Sequence, residues 1–172
     1  MRALLSTKLK LQIRPGKQSV TQKLSFDGHF TLRKIHFTSP GVQDKVDMLS
    51  LRARGEPEKA KPGAADVSSE MQGTFQMANS LIQFSSLSYV LPGARVNLEG
   101  IYSLDGQKFD FHGKVLTDAS LWRMVDSRWK SLLVMPISPF FHRKGGGAEI
   151  PVSISGTKSE PKFGLDMFGR HK

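Results

Sequence analysis

Three observations predict a mainly β, α+β fold for this chain. Apolar and polar residues alternate along most of its length, Gly- and Pro-containing breaks separate the alternating runs, and only two stretches carry a three-to-four-residue apolar period. The expected architecture is a curved antiparallel sheet forming an open groove or partial barrel, apolar on one face, with two amphipathic helices. Its 172 residues suit one domain, residues 1–172.

The elements follow in order. In "KLKLQI", Leu9, Leu11 and Ile13 share one face, and Leu24, Phe26, Phe30 and Leu32 repeat that spacing in the next run. Between Pro40 and Gly55, Val42, Val46, Leu49 and Ala53 form an apolar helical stripe, with Ser39 and Pro40 at its start and "RARG" at its end. "GEPEKAKPGAAD", residues 55–66, has the composition of an exposed, mobile loop between two halves of one sheet.

Beyond that loop, Val67, Met71, Phe75 and Met77 alternate with Glu70, Gln72 and Gln76. Ile82 with Phe84, Val96 with Leu98, Phe109 with Phe111, and Ile150 with Val152 and Ile154 mark the later strands. "ANS", "LPGA", "LDGQ" and "GGGA" supply turns, and "SLDGQ" predicts a hairpin with Asp105 and Gly106 at positive φ. From Ala119 to Met135 the period lengthens: Trp122, Val125, Trp129, Leu132 and Leu133 make a second helical stripe, capped by Asp118 or Ser120.

Lys plus Arg number 25 against 15 Asp plus Glu, a net charge of +10 that favours anionic surfaces, whether nucleic acid or lipid headgroups. Alternation of these cations with apolar residues also fits a solvated sheet face. Absence of cysteine excludes a disulfide framework, a thiolate zinc site and a cysteine nucleophile. "MRALLSTKLK" has too short an apolar run for a signal peptide, and no segment approaches the roughly 18 apolar residues of a membrane helix.

Nothing in the sequence nominates a catalyst. The five histidines, His29, His36, His112, His142 and His171, lack metal-site spacing, and no nucleophile elbow, P-loop or dinucleotide fingerprint occurs. The glycines of "GGGAEI" precede a strand, so they lack the helix N-terminus that holds phosphate. The expectation is a protein that is not an enzyme and carries no cofactor and no metal. Aromatics grouped with aliphatics, opposite the cations, argue against a base-stacking platform. An apolar face with few convergent polar groups suits acyl chains.

The ordered set "FDGHF", "LSLRARG", "PGARVNLEGIY", "SPFF", "GGGAEIPVSISGT" and "PKFGLD", spanning roughly Phe26 to Asp166, resembles the C-terminal region of AsmA-like proteins. The resemblance implies the C-terminal piece of a longer periplasmic protein. It would be anchored in the bacterial inner membrane by a helix absent from this chain, and its β-groove would carry phospholipid toward the outer membrane. It implies no catalytic residues. Its groove lining corresponds in kind to Phe75, Phe84, Leu98, Phe109 and Phe111. In "PFFHRK", Phe140 and Phe141 form either a cap on the core or an apolar rim, with Arg143 and Lys144 placed to meet lipid phosphate.

Three functions follow from these readings. The first is a lipid-handling module with phospholipids, and envelope proteins, as partners. The second is an envelope-assembly module whose helices close its core. The third is a basic nucleic-acid-binding domain.

Overall fold

The computed structural model describes residues 1–17, 19–105, 107–124, 146–157 and 159–165. Eight strands form one antiparallel sheet: β1 (Arg2–Ile13), β2 (Leu24–His36), β3 (Ser69–Ala78), β4 (Leu81–Leu91), β5 (Ala94–Ser103), β6 (Lys108–Thr117), β7 (Ala148–Thr157) and β8 (Pro161–Leu165). Their spatial order is their chain order, and β1 and β8 are the two edges of an open sheet. The Gly-, Asn- and Pro-containing breaks provide short connections after β3, β4 and β5, whereas residues 37–68 and 118–147 make long ones.

Two hairpins show how local chemistry sets register. At the β3–β4 turn, Asn79 (φ 52°) and Ser80 (φ 61°) both lie in the left-handed region, the requirement of a two-residue type I′ turn. At the β4–β5 turn, Pro92 precedes Gly93 (φ 88°), the pairing a type II turn favours. The β5–β6 hairpin forms where expected, but Asp105 does not carry the positive φ. That falls on Gln107 (φ 47°), while Gly106 lies outside the described residues.

Two strands change phase midway. In β2, apolar residues sit at even positions up to Leu32, and then Lys34 at φ 53° inserts an extra residue so that Ile35 pairs with Ser69 on the same face. In β4, Ser85 and Ser86 together oppose one residue of β5, which moves the apolar set from Ile82 and Phe84 to Leu87 and Tyr89. Without these bulges each strand would turn its second half over.

Three helical segments are described: α1 (Val20–Lys23), α2 (Pro40–Ala53) and α3 (Leu121–Met124). Only α2 exceeds one turn. Ser39 stands at its N-cap with Pro40 after it, although the backbone carbonyl of Ser39, not its side chain, receives the first amides. Its end is a Schellman motif: Glu56 N–H donates to the Leu51 carbonyl at 3.0 Å and Gly55 N–H to Arg52 at 2.8 Å, with Gly55 at φ 82°.

The expected apolar stripe on α2 is corrected by its packing. Of its four residues Ala53 is buried and Val46 half-buried, but Val42 and Leu49 are exposed, and Asp47, Ser50 and Leu51 are buried instead. The helix docks on strand-end loops rather than on the sheet face, so its buried side meets backbone polar groups that need partners. Asp47 accepts from Val67 N–H and from Gln43 Nε2, both at 2.9 Å, and Ser50 Oγ donates to the Pro92 carbonyl at 2.7 Å. Ala53 packs with Leu91 and Ala94, and its carbonyl accepts from Ala119 N–H at 2.8 Å.

Residues 55–66 hold a 3₁₀ turn at Pro57–Lys59, with Pro57 buried and Gly63 N–H bonded to Asp44 Oδ1 at 2.9 Å. Of the second expected helix, only Leu121–Met124 is described, with Ser120 preceding it. The rest, to Met135, lies outside the described residues. Among the described residues, α2 is the one helix of more than a turn.

Candidate functional site

Antiparallel register places one apolar row after another across all eight strands. Leu5, Leu9, Leu11 and Ile13 of β1 stand opposite Leu32, Gly28, Phe26 and Leu24 of β2. Phe26, Gly28, Phe30 and Leu32 then face Met77, Phe75, Gly73 and Met71 of β3. The series continues through Ile82, Phe84, Leu87 and Tyr89, then Tyr102, Gly100, Leu98 and Val96. It ends on Phe109, Phe111, Val115, Ile150, Val152, Ile154, Phe163 and Leu165. Side chains alternate faces along a strand, so these residues all project to one side.

An aromatic chain crosses this face. Phe26 meets Phe75 edge-on, ring centroids 5.6 Å apart, and Phe30 meets the same ring at 6.1 Å. Phe75 contacts Phe84 at 6.0 Å, Phe84 contacts Phe111 at 5.7 Å, and Phe111 contacts Phe109 at 6.4 Å. All five are in the range where aromatic pairs attract.

Glycine makes the chain continuous. Phe84 and Phe111 lie on β4 and β6, whose axes are about 9.5 Å apart across β5. Their rings meet because Gly100 stands between them; a Cβ there would lie 2.8 Å from Phe111 Cδ1. Phe30 lies over Gly73 in the same way, 2.6 Å from where a Cβ would be. Each aromatic thus covers backbone that a neighbouring glycine would leave bare.

This face is open to solvent among the described residues. The six rings are half-buried, and exposure rises toward the edges, to 65% at Leu5, 60% at Leu11 and 76% at Phe163. Large side chains are scarce in the interior: Ile35, Leu51, Leu91 and Met77 are buried with Ala53, Ala94, Ala119 and Ala148. Most of the interior gathers where α2 meets the sheet, with Tyr89 and Met124 against it. There the Tyr89 hydroxyl donates to or accepts from Ser69 Oγ at 2.8 Å, and burial pushes the phenol above its usual range despite that bond.

The opposite face is polar. Lys8 and Lys10 of β1 stand opposite His29 and Asp27 of β2, and Gln72, Thr74 and Gln76 of β3 stand opposite Ser88, Ser86 and Gln83 of β4. On the far side, His112 Nε2 lies 3.0 Å from Glu99 Oε1, and Lys114 pairs with Glu149 at 2.9 Å. Cations and aromatics therefore occupy opposite faces. Among the described residues, no group of three or more His, Cys, Asp or Glu is arranged to hold a metal ion.

The five lining residues read from the sequence, Phe75, Phe84, Leu98, Phe109 and Phe111, share this face, Leu98 lying between Leu87 and Gly113. Phe140, Phe141, Arg143 and Lys144 lie outside the described residues. Phe26 and Phe30 join the aromatic chain, and Leu5, Leu11, Phe163 and Leu165 are its most accessible flanks. The same two-residue period marks all of them, but their places beside Phe75 and Phe111 depend on register, which periodicity does not give. Among the described residues no helix is long and apolar enough to cross a membrane. No protein-family model, curated protein or solved structure matches the chain.

Proposed function

We propose that this chain is a non-enzymatic lipid-handling module of the AsmA-like kind. Phospholipid acyl chains lie along the apolar face, which works as a groove, and headgroups stay toward its basic margins. The module would act in the periplasm, as part of a protein anchored in the inner membrane, moving phospholipid to the outer membrane or keeping its lipid balance. Transfer of this kind needs no cofactor and no covalent step.

One observation carries the reading: the apolar face runs unbroken across eight strands, and nothing described covers it. Contiguous exposed apolar surface of this extent marks a binding site. Its lining is aliphatic and aromatic, without the convergent polar groups that would fix a compact polar ligand. The net charge of +10 favours anionic headgroups at the margins.

The test is native mass spectrometry with lipid extraction on protein purified from bacterial membranes and periplasm together. Phospholipid should co-purify with the wild type and be lost from Phe84→Asp/Phe111→Asp at unchanged far-UV circular dichroism. Lipid-free, monomeric wild type with the same cooperative fold would overturn the proposal. A co-purifying protein displaced by the same substitutions would point instead to envelope assembly.

A further inference from the structure

The two ends of the strands differ in cover and in charge. At one end α2 packs Ala53 on Leu91 and Ala94, and residues 40–66 balance five Lys or Arg against five Asp or Glu. His36 lies 3.4 Å from Asp66 there, and Lys59 pairs with Glu56 at 3.0 Å. The other end consists of hairpin turns, with the one-turn α1 among them. Its described cations are Arg14, Lys17, Lys23, Lys108 and Lys162, against Asp105 and Glu160. Lys23 Nζ donates to the Gly16 carbonyl at 3.2 Å, and among the described residues the other four have no acidic partner. A strand added at either edge of the sheet would leave these turns in place.

We infer that, with acyl chains on the apolar face as proposed above, this face selects phospholipids of net negative headgroup charge and holds them in one orientation, headgroup at the hairpin end and chain termini toward α2. Charge complementarity sets the direction. Lys108 and Lys162 stand on the polar face at the first and second positions of their strands, and their long stems can carry the ammonium past the strand ends to a phosphate. Tyr102 occupies the apolar row nearest the turns, between Ile82 and Phe109. A tyrosine suits that level, where acyl chain gives way to headgroup.

Length agrees with this direction. An acyl chain spans one leaflet, half of a hydrocarbon core roughly 30 Å thick, so about 15 Å. From Tyr102 to Val96 along β5 is about 20 Å at the antiparallel rise, so a chain starting beside Tyr102 ends short of the buried Ala94. The reverse orientation would press the phosphate toward α2, where acids match the cations in number.

The delipidated full chain is offered an equal mixture of phosphatidylglycerol and phosphatidylcholine with identical acyl chains, and native mass spectrometry reads what is bound. Phosphatidylglycerol should be preferred by about tenfold. Lys108→Glu/Lys162→Glu should abolish that preference while phosphatidylcholine still binds. Lys45→Glu/Lys61→Glu, the same charge change at the α2 end, should leave it within about twofold. Orientation is read with a fluorophore on a single cysteine, Tyr102→Cys or Val96→Cys, in this otherwise cysteine-free chain. A nitroxide on the lipid headgroup should quench the label at position 102 more strongly, and one at the acyl terminus the label at position 96. Lipid bound without headgroup preference, equal losses from the two double variants, or the opposite order of quenching would each overturn the inference and leave lipid handling standing. Uptake of neither lipid would overturn both.

Discussion

Ser80 illustrates how a single position can oppose the fold it serves. It occupies the second turn residue between β3 and β4 at φ 61°, a conformation that costs a non-glycine residue about 1 kcal/mol. It is also buried, and its hydroxyl finds no hydrogen-bond partner among the described residues, although its carbonyl accepts from Leu104 N–H at 2.9 Å. Ser80→Gly relieves both costs and retains the carbonyl, while the added freedom of glycine in the unfolded chain takes back part of the gain. The expected net effect is roughly 0.5–1 kcal/mol of added stability, seen as a thermal midpoint about 2 °C higher. Ser80→Ala removes only the hydroxyl and should gain less. Equal gains from the two variants would show that backbone strain plays no part.

Between sequence and element, legibility depended on whether a pattern repeats. Period-2 alternation located β1 to β7, because one face of each is apolar, but not the five-residue β8, which is too short to show a repeat; "RARG" correctly ended α2. The phase changes at Lys34 and at Ser85–Ser86 were not expected, because each run was followed only over its even positions and the switch to odd ones shows only across the whole strand. The docking side of α2 was legible only in part. Hydrophobicity pointed to Val42, Val46, Leu49 and Ala53; Ala53 is buried and Val46 half-buried, but Val42 and Leu49 are exposed and Asp47, Ser50 and Leu51 complete the buried side, since the helix faces backbone amides and carbonyls at strand ends. Asp47 is the main fastening: its carboxylate holds Val67 N–H and Gln43, whose own Oε1 accepts from Phe37 N–H at 2.9 Å. Asp47→Ala leaves the part-buried Val67 amide unpaired and frees Gln43 from its brace, and should cost about 1–3 kcal/mol in chemical denaturation. Val42→Ala, on the exposed side, should change stability by less than about 0.5 kcal/mol. Similar losses from the two would mean that the apolar stripe is the docking surface after all.

At the scale of the molecule, stability is distributed unevenly along the strands. At the α2 end, Ile35, Ser69, Leu91, Ala94, Thr117 and Ala148 are buried, and Thr117 Oγ1 binds the Ala119 carbonyl at 2.7 Å and accepts from Ala148 N–H at 3.2 Å. At the other end Met77 and Ser80 are the buried residues, and Ile13 remains 56% exposed. A hydrogen-bonded ladder spans both ends, so bond number does not distinguish them; what differs is the apolar contact that must be broken to open each. Native-state hydrogen exchange should therefore show a gradient within single strands. Amides of β4, β5 and β6 near Leu91, Ala94 and Thr117 should open at a cost roughly 2 kcal/mol above those near Leu81, Ser103 and Lys108, about thirtyfold in rate. Uniform protection along these strands would mean that the sheet opens as one unit and that α2 adds no local stability. Repeating the measurement with a short-chain phospholipid separates the two sources of order. A ligand lying across the apolar face adds contacts where the chain has few, so protection should rise most at the unsupported end and the gradient should flatten. A gradient that keeps its slope in lipid would place the added contacts away from that end.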